Sequence, residues 1–252
     1  MCKDCGCSDH AGTFQLRDIL GRIDFAPAPG ETVEVMTSLL SGNDRDAAAI
    51  RATLDAHGIL AVNLMSSPGS GKTALLEATI DAVKDKYRIA VIEGDLETEN
   101  DALRIRARGV PAVQIVTGQT CHLDANMVKS ALGRLDLSNL DILFIENVGN
   151  LVCPASFDLG QHANAVLLAV TEGDDKPAKY PVMFRGADLV LLTKTDLLPV
   201  LDDFSVDKAE THIRRLANAA PVLQVSARKP GTLAPWLDWL HQRRAAQRKA
   251  AA

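Results

Sequence analysis

Between residues 59 and 225 short apolar runs, rich in β-branched side chains, alternate with stretches of helical periodicity. The runs cover 59–65, 88–93, 112–116, 141–145, 164–170, 188–193 and 222–225, and the helical stretches 71–86, 97–108, 124–134, 206–219 and 231–244. Strands that are apolar almost throughout, each followed by a helix, belong to a mainly parallel sheet with helices on both faces, an α/β fold. Ahead of the first strand, Ile50 and Leu54 recur at helical spacing, Asn43 and Asp44 are candidate caps and Gly58 a stop, so a helix is predicted over about 43–57. Residues 11–36 have no clear period and contain Pro27, Pro29 and Gly30, as expected of a linker. The basic end, with Arg243, Arg244, Arg248 and Lys249, reads as a frayed helix terminus.

The segment Ser66-Ser67-Pro68-Gly69-Ser70-Gly71-Lys72-Thr73 joins the first predicted strand to the next helix, the context a phosphate-binding loop requires. Its glycines let successive N–H groups from Gly69 through Ser70 and Gly71 to Ala74 face one phosphate. Lys72 then reaches the β- and γ-phosphates and the Thr73 hydroxyl meets Mg²⁺. Ser66 stands where the pattern usually has glycine, a position that can ask for an unusual backbone angle. Two carboxylates at strand ends complete a hydrolytic set with Lys72 and Thr73. Asp95 would hold Mg²⁺ or order the attacking water, and Glu146 would support that arrangement, unless each is only a turn or cap residue. Thr193-Lys194-Thr195-Asp196 follows the sixth run. An Asp at position 196 accepts from the guanine N1–H and 2-amino group, and the Lys194 stem lies along a purine face, which favours GTP. The common pattern there is Asn-Lys-x-Asp, so Thr193 is expected to weaken the contact that fixes the loop. Ser226-Ala227 sits after the last strand, where a backbone N–H can meet the guanine O6.

Three of the five cysteines, Cys2, Cys5 and Cys7, form Cys-x-x-Cys-Gly-Cys at the N-terminus, with His10 nearby. Such a tail would bind one ion, Ni²⁺ or Cu in a planar sulfur and nitrogen set or Zn²⁺ in a tetrahedral one. Cys121-His122 and Cys153 fall in loops on the nucleotide side and can share a second ion, leaving a coordination place open. The other histidines, His57, His162, His212 and His241, show no ligand pattern.

Composition narrows the classes further. The chain has 252 residues, 47% of them hydrophobic and 23% charged, enough for one sizeable core. A net charge of -5 argues against a nucleic-acid backbone as partner. No apolar run approaches the roughly 20 residues that span a bilayer, and no secretory leader pattern precedes the cysteines. A cytoplasmic protein without a membrane segment is expected, with residues 1–36 as metal-binding tail and linker and 37–252 as the nucleotide-binding domain with its preceding helix.

Taken together, these motifs resemble the HypB-type nickel-insertion GTPases of NiFe-hydrogenase maturation. The resemblance rests on Met-Cys-x-x-Cys-Gly-Cys, the phosphate loop, Glu-Gly-Asp at 93–95 and Cys-His-Leu-Asp-Ala at 121–125. It extends to Glu-Asn-Val-Gly-Asn-Leu-Val-Cys-Pro at 146–154 and Thr-Glu-Gly-Asp-Asp-Lys-Pro-Ala-Lys-Tyr-Pro at 171–181. It implies a P-loop NTPase fold, slow Mg²⁺-dependent GTP hydrolysis and a GTP-dependent homodimer. It also implies nickel at Cys2, Cys5 and Cys7, and Zn²⁺ or Ni²⁺ at Cys121, His122 and Cys153 near the dimer interface. The implied partners are a small zinc-bearing nickel metallochaperone and the hydrogenase large-subunit precursor. Lys176 and Lys179 would touch nucleotide across the dimer or remain solvated loop lysines. Two other functions stay open: a nickel store with vestigial nucleotide turnover, and the urease-maturation type, whose Cys-Pro-His differs from the Cys-His-Leu-Asp found here.

Overall fold

The strands are hydrophobic almost without interruption because helices cover them on both faces. The computed structural model describes residues 29–95, 100–118 and 120–250, with side chains from residue 40 onward. The seven strands are β1 (Leu60–Ser66), β2 (Ile89–Asp95), β3 (Ala112–Val116), β4 (Ile142–Glu146), β5 (Ala163–Ala169), β6 (Leu189–Thr193) and β7 (Val222–Gln224). All pairings are parallel, in the order β3-β2-β4-β1-β5-β6-β7. The chain therefore has the α/β architecture of a P-loop NTPase, as its sequence pattern predicts.

Alternation along β1 separates the two layers. Leu60, Val62 and Leu64 pack beneath α2 (Lys72–Val83), α3 (Asn100–Arg106) and α8 (Ala234–Ala250), through Leu75, Ile80, Ile105, Trp236 and Leu240. Ala61 faces the opposite side, where α1 (Pro29–Ala56) and α4 (Ala125–Leu132) contribute Ala47, Ile50, Leu54, Val128 and Leu132. On that same face Met65 joins a third cluster under α6 (Pro181–Arg185) and α7 (Val206–Arg215), built around Met183, Phe184 and Ile213.

Several local expectations are corrected. The first helix does not start at residue 43 but runs from Pro29, so the boundary drawn between residues 36 and 37 falls inside it. Asn43 caps another helix instead of its own. Its Oδ1 accepts from the Ala125 N–H at 2.9 Å, at the start of α4, while its Nδ2 donates to the Asp158 carbonyl at 2.9 Å. Two short helices were not anticipated between β5 and β6, namely α5 (Lys176–Lys179) and α6; each has proline in its opening turn and is too short to show a period. The basic end is not frayed: α8 continues to Ala250, and Arg244, only 8% exposed, donates to Asp141 Oδ1 at 2.8 Å.

Because the strands are parallel, their C-terminal ends share one edge. The central strand β1 has β4 on one side and β5 on the other, and its end faces the crevice where ligands bind in such sheets.

Candidate functional site

The phosphate loop leaves the end of β1 and enters α2 at Gly71, whose φ of +94° suits glycine. Ser66 raises no backbone difficulty, since it is the last residue of β1 and lies outside the positive-φ region. Its fully buried hydroxyl accepts from Lys72 Nζ at 3.1 Å and donates to the Ser67 carbonyl at 2.7 Å. Thr73 Oγ1 donates to Glu146 Oε1 at 2.8 Å, so the loop hydroxyl and the carboxylate at the end of β4 already face each other.

Across the β2–β4 ladder Glu93 stands opposite Glu146, and both are almost fully buried. Burial pushes the Glu93 carboxyl up to about 8, helped by the charges of Glu146 and Asp95. Burial likewise raises Glu146 to about 7, against the pull of the Lys72 ammonium. Glu93 was not singled out from sequence; a carboxylate among the apolar residues of β2, two positions before Asp95, was the available signal. A cavity of about 370 Å³ opens over these groups, lined by Lys72, Thr73, Glu93, Asp95, Arg104 and Glu146. Hard oxygen donors from Thr73, Asp95 and Glu146 around one cavity fit a Mg²⁺ ion.

A second cavity, of about 280 Å³, adjoins the same loop at Ser70, Gly71 and Ala74 and is walled by Lys194, Asp196 and Ala227. Asp196 Oδ1 accepts from Ser226 Oγ at 2.6 Å, which aims the carboxylate and holds it below its ordinary range. Thr193 does not leave its loop loose. Its Oγ1 donates to the Ser70 carbonyl at 2.7 Å, tying the end of β6 to the phosphate loop with a hydroxyl in place of an amide. A wider cleft of about 590 Å³, between Arg51 on α1 and Val182 on α6, holds none of the nucleotide or metal residues predicted from sequence.

The second predicted metal set also assembles. Ligand atoms of Cys121, His122 and Cys153 lie within 4.8 Å of one another. The two sulfurs are 2.9 Å apart, too far for a disulfide and close enough for an S–H donor from Cys121. His122 is 3% exposed and stacks on Phe157 at 4.0 Å. Cys121 precedes α4 by four residues and is not in its first turn, since Asp124 caps that helix by accepting from the Met127 N–H. Cys153 opens a turn of 3₁₀-helix, Cys153–Ser156. Two sulfurs and one imidazole suit Zn²⁺, and Ni²⁺ as well. Cys2, Cys5, Cys7 and His10 lie outside the described residues.

Four residues, Gly149, Gly94, Asn147 and Asn150, join this cluster to the nucleotide cavities. A Cβ on Gly149 would meet Pro68 Cα of the phosphate loop at 2.9 Å, and one on Gly94 would meet Leu123 side-chain carbons at 2.8 Å. Asn147, directly after Glu146, accepts at Oδ1 from the Leu123 N–H at 3.2 Å and the Val148 N–H at 3.0 Å. Asn150 Nδ2 donates to the Cys121 carbonyl at 3.3 Å. The segment from Glu146 to Cys153 thus touches the phosphate loop at one end and supplies a thiol at the other.

Comparison with known proteins shows the family. Residues 60–224 match the family model "CobW/HypB/UreG, nucleotide-binding domain". A hydrogenase maturation factor HypB of Azotobacter vinelandii is 52% identical over 229 residues, 89% of this chain and 75% of that one. One from Escherichia coli K12 is 50% identical over 223 residues, covering 87% and 77%. The crystal structure of HypB from Helicobacter pylori in complex with nickel superposes with a TM-score of 0.78 at 43% identity, covering 81% of this chain and 96% of that one. The chain belongs to the CobW/HypB/UreG family of nucleotide-binding proteins, in its HypB branch.

Proposed function

We propose that this chain is a Mg²⁺-dependent GTPase that binds nickel and assists its insertion into a NiFe-hydrogenase, with nucleotide state coupled to metal binding. The observation that carries the reading is the shared segment 146–153, which meets Thr73 through Glu146, Pro68 through Gly149 and the thiol cluster through Cys153. The names of its relatives, hydrogenase maturation factors, and the nickel complex of one of them support the same assignment.

In this reading Lys72 leaves Ser66 for the β- and γ-phosphates, while Gly69, Ser70, Gly71 and Ala74 present N–H groups to them. Thr73, Asp95 and Glu146 hold Mg²⁺, which when bound neutralises charge on the phosphates. Lys194, Asp196, Ser226 and Ala227 select guanine. Closing of these groups on GTP moves Asn147 and Gly149, and Cys121, His122 and Cys153 follow. Nickel is cargo at this cluster, and Zn²⁺ is an alternative occupant. By reciprocity, an ion there changes nucleotide affinity by the factor with which nucleotide changes its own. The reading extends to a GTP-dependent homodimer working in the cytoplasm with a small zinc-bearing metallochaperone and the hydrogenase large-subunit precursor.

GTP hydrolysis by the full chain, with and without Ni²⁺, tests this against ATP and against Lys72→Ala. Slow turnover that is selective for GTP, lost in the variant and altered by nickel is expected. Turnover blind to the base overturns the guanine assignment, and absent turnover with intact metal binding turns the protein into a nickel store.

A further inference from the structure

One carboxylate beside the phosphate loop has no part in the mechanism above. Glu172 lies in the loop that follows β5, fixed there by its own N–H, which donates to the Ala169 carbonyl at 2.9 Å. Its two oxygens take separate partners on the phosphate loop. Ser67 Oγ donates to Oε2, and Ser70 Oγ donates to Oε1 at 2.5 Å. Ser70 Oγ also lies 2.8 Å from the Ser67 carbonyl and 3.0 Å from Ser67 Oγ, so the carboxylate and the two serines form one cluster. The Ser70 carbonyl is held by Thr193 Oγ1, so the loop is bonded both to the segment after β5 and to the end of β6.

The geometry points to Glu172 as a positioning residue that braces the phosphate loop in its nucleotide-binding form, an assignment that rests on the nucleotide reading above. A loop already held in the bound shape spends less conformational entropy when the triphosphate docks, so the brace strengthens binding without touching the reacting atoms. Two residues on, Asp174 Oδ2 accepts from the Ser205 N–H at the start of α7, and α5 with Lys176 and Lys179 follows directly.

A carboxylate near an anion site also repels the anion, and the two effects have opposite signs. Glu172→Gln separates them, because an amide can still accept from one serine and donate to the oxygen of the other while carrying no charge. The experiment measures binding of a fluorescent GTP analogue, and KM and kcat for GTP, on the full chain as wild type, Glu172→Ala, Glu172→Gln, Ser67→Ala and the Ser67→Ala/Glu172→Ala pair. Loss of two charge-assisted hydrogen bonds in Glu172→Ala is expected to raise the dissociation constant and KM about tenfold with kcat within about twofold, as for an interaction made equally in ground and transition states. Glu172→Gln is expected to stay near wild type, and the pair to be no weaker than Glu172→Ala alone. Tighter binding in both Glu172 variants shows an electrostatic gate and overturns the brace, as does unchanged binding in all of them. Thermal unfolding identifies a variant that has lost its fold; Ser67→Ala and Glu172→Gln then decide alone, and equal binding by Ser67→Ala and wild type overturns the brace. If wild type itself fails to bind the analogue, the nucleotide reading falls first and the brace with it.

Discussion

The phosphate loop and the thiol cluster share one edge of the sheet but are built differently. The loop runs from the last residue of β1 straight into α2, and Ser66, Ser67, Ser70, Lys72 and Thr73 are each bonded within the protein. Cys121 and His122 lie in a connection between β3 and α4, and Cys153 opens a short turn after β4; both cysteines are partly exposed. Groups that must meet a triphosphate in fixed geometry hang on strand and helix ends, where packing sets their position. The groups proposed to take up and give away an ion hang on connecting segments, where a small shift alters the spacing of donors. In the proposed reading, the cluster is the part that responds and the phosphate loop the part that commands.

The strongest way to break that comparison is to remove the thiols. In a background lacking Cys2, Cys5 and Cys7, Cys121→Ser with Cys153→Ser should lower affinity for Ni²⁺ and Zn²⁺ at least about a hundredfold, beyond what is typical for outer-sphere partners. Metal-free GTP affinity should change less than about twofold. Competition titration with a chromophoric chelator gives the first number and analogue binding the second; a large loss of nucleotide affinity would show that the loop depends on the cluster. Gly149→Ala probes the opposite direction. Its Cβ would press on Pro68 backbone atoms at 2.9 Å, where nothing flexible can yield, so the phosphate loop must shift. Overpacking of this kind costs about 1–3 kcal/mol, to be read as weaker GTP binding and a lower Tm, with metal binding by the isolated cluster less affected.

Much of this was legible in sequence, for reasons that also explain the gaps. Strands buried on both faces leave continuous apolar runs, and the phosphate loop is one contiguous motif between a strand and a helix. Cys121, His122 and Cys153 could be grouped because parallel strands bring their following loops to one edge. Glu93 escaped because its significance lies in the partner opposite it, Glu146, a neighbour only once β2 and β4 pair. The tie made by Thr193 escaped for a related reason: that a short hydroxyl reaches the Ser70 carbonyl is a fact of the folded loop. Asn43 has the right chemistry for a cap, but the helix it caps is α4, distant in sequence. Contacts between remote segments, rather than local preference, account for each of these.

The weaker tests address the connection between the two regions. Asn147 is 1% exposed and its Oδ1 receives the Leu123 and Val148 N–H groups. Asn147→Ala leaves these buried donors unmet, at about 1–3 kcal/mol in stability. Coupling between GTP and metal, of the order of 1–3 kcal/mol where sites are linked, should fall by at least about half. Metal titrations in the presence of GDP and of a non-hydrolysable GTP analogue measure that coupling; full coupling in the variant would place the connection elsewhere, through Gly94 and Leu123.

The smallest effect is expected at Asn43, which supports the cluster from α1. Its amide caps α4 just beyond Cys121 and His122 and holds the Asp158 carbonyl beyond Cys153, so one side chain anchors both loops that supply ligands. Asn43→Ala removes a cap worth about 1 kcal/mol and should lower the Tm by a few degrees. Because the phosphate loop makes none of these contacts, GTP affinity without metal should stay at the wild-type value while metal affinity drops about threefold to tenfold, the size expected when a group that orients ligands is lost. Equal losses at both sites would mean that the cluster and the phosphate loop share one rigid support, and the division between a fixed nucleotide site and an adaptable metal site would not hold.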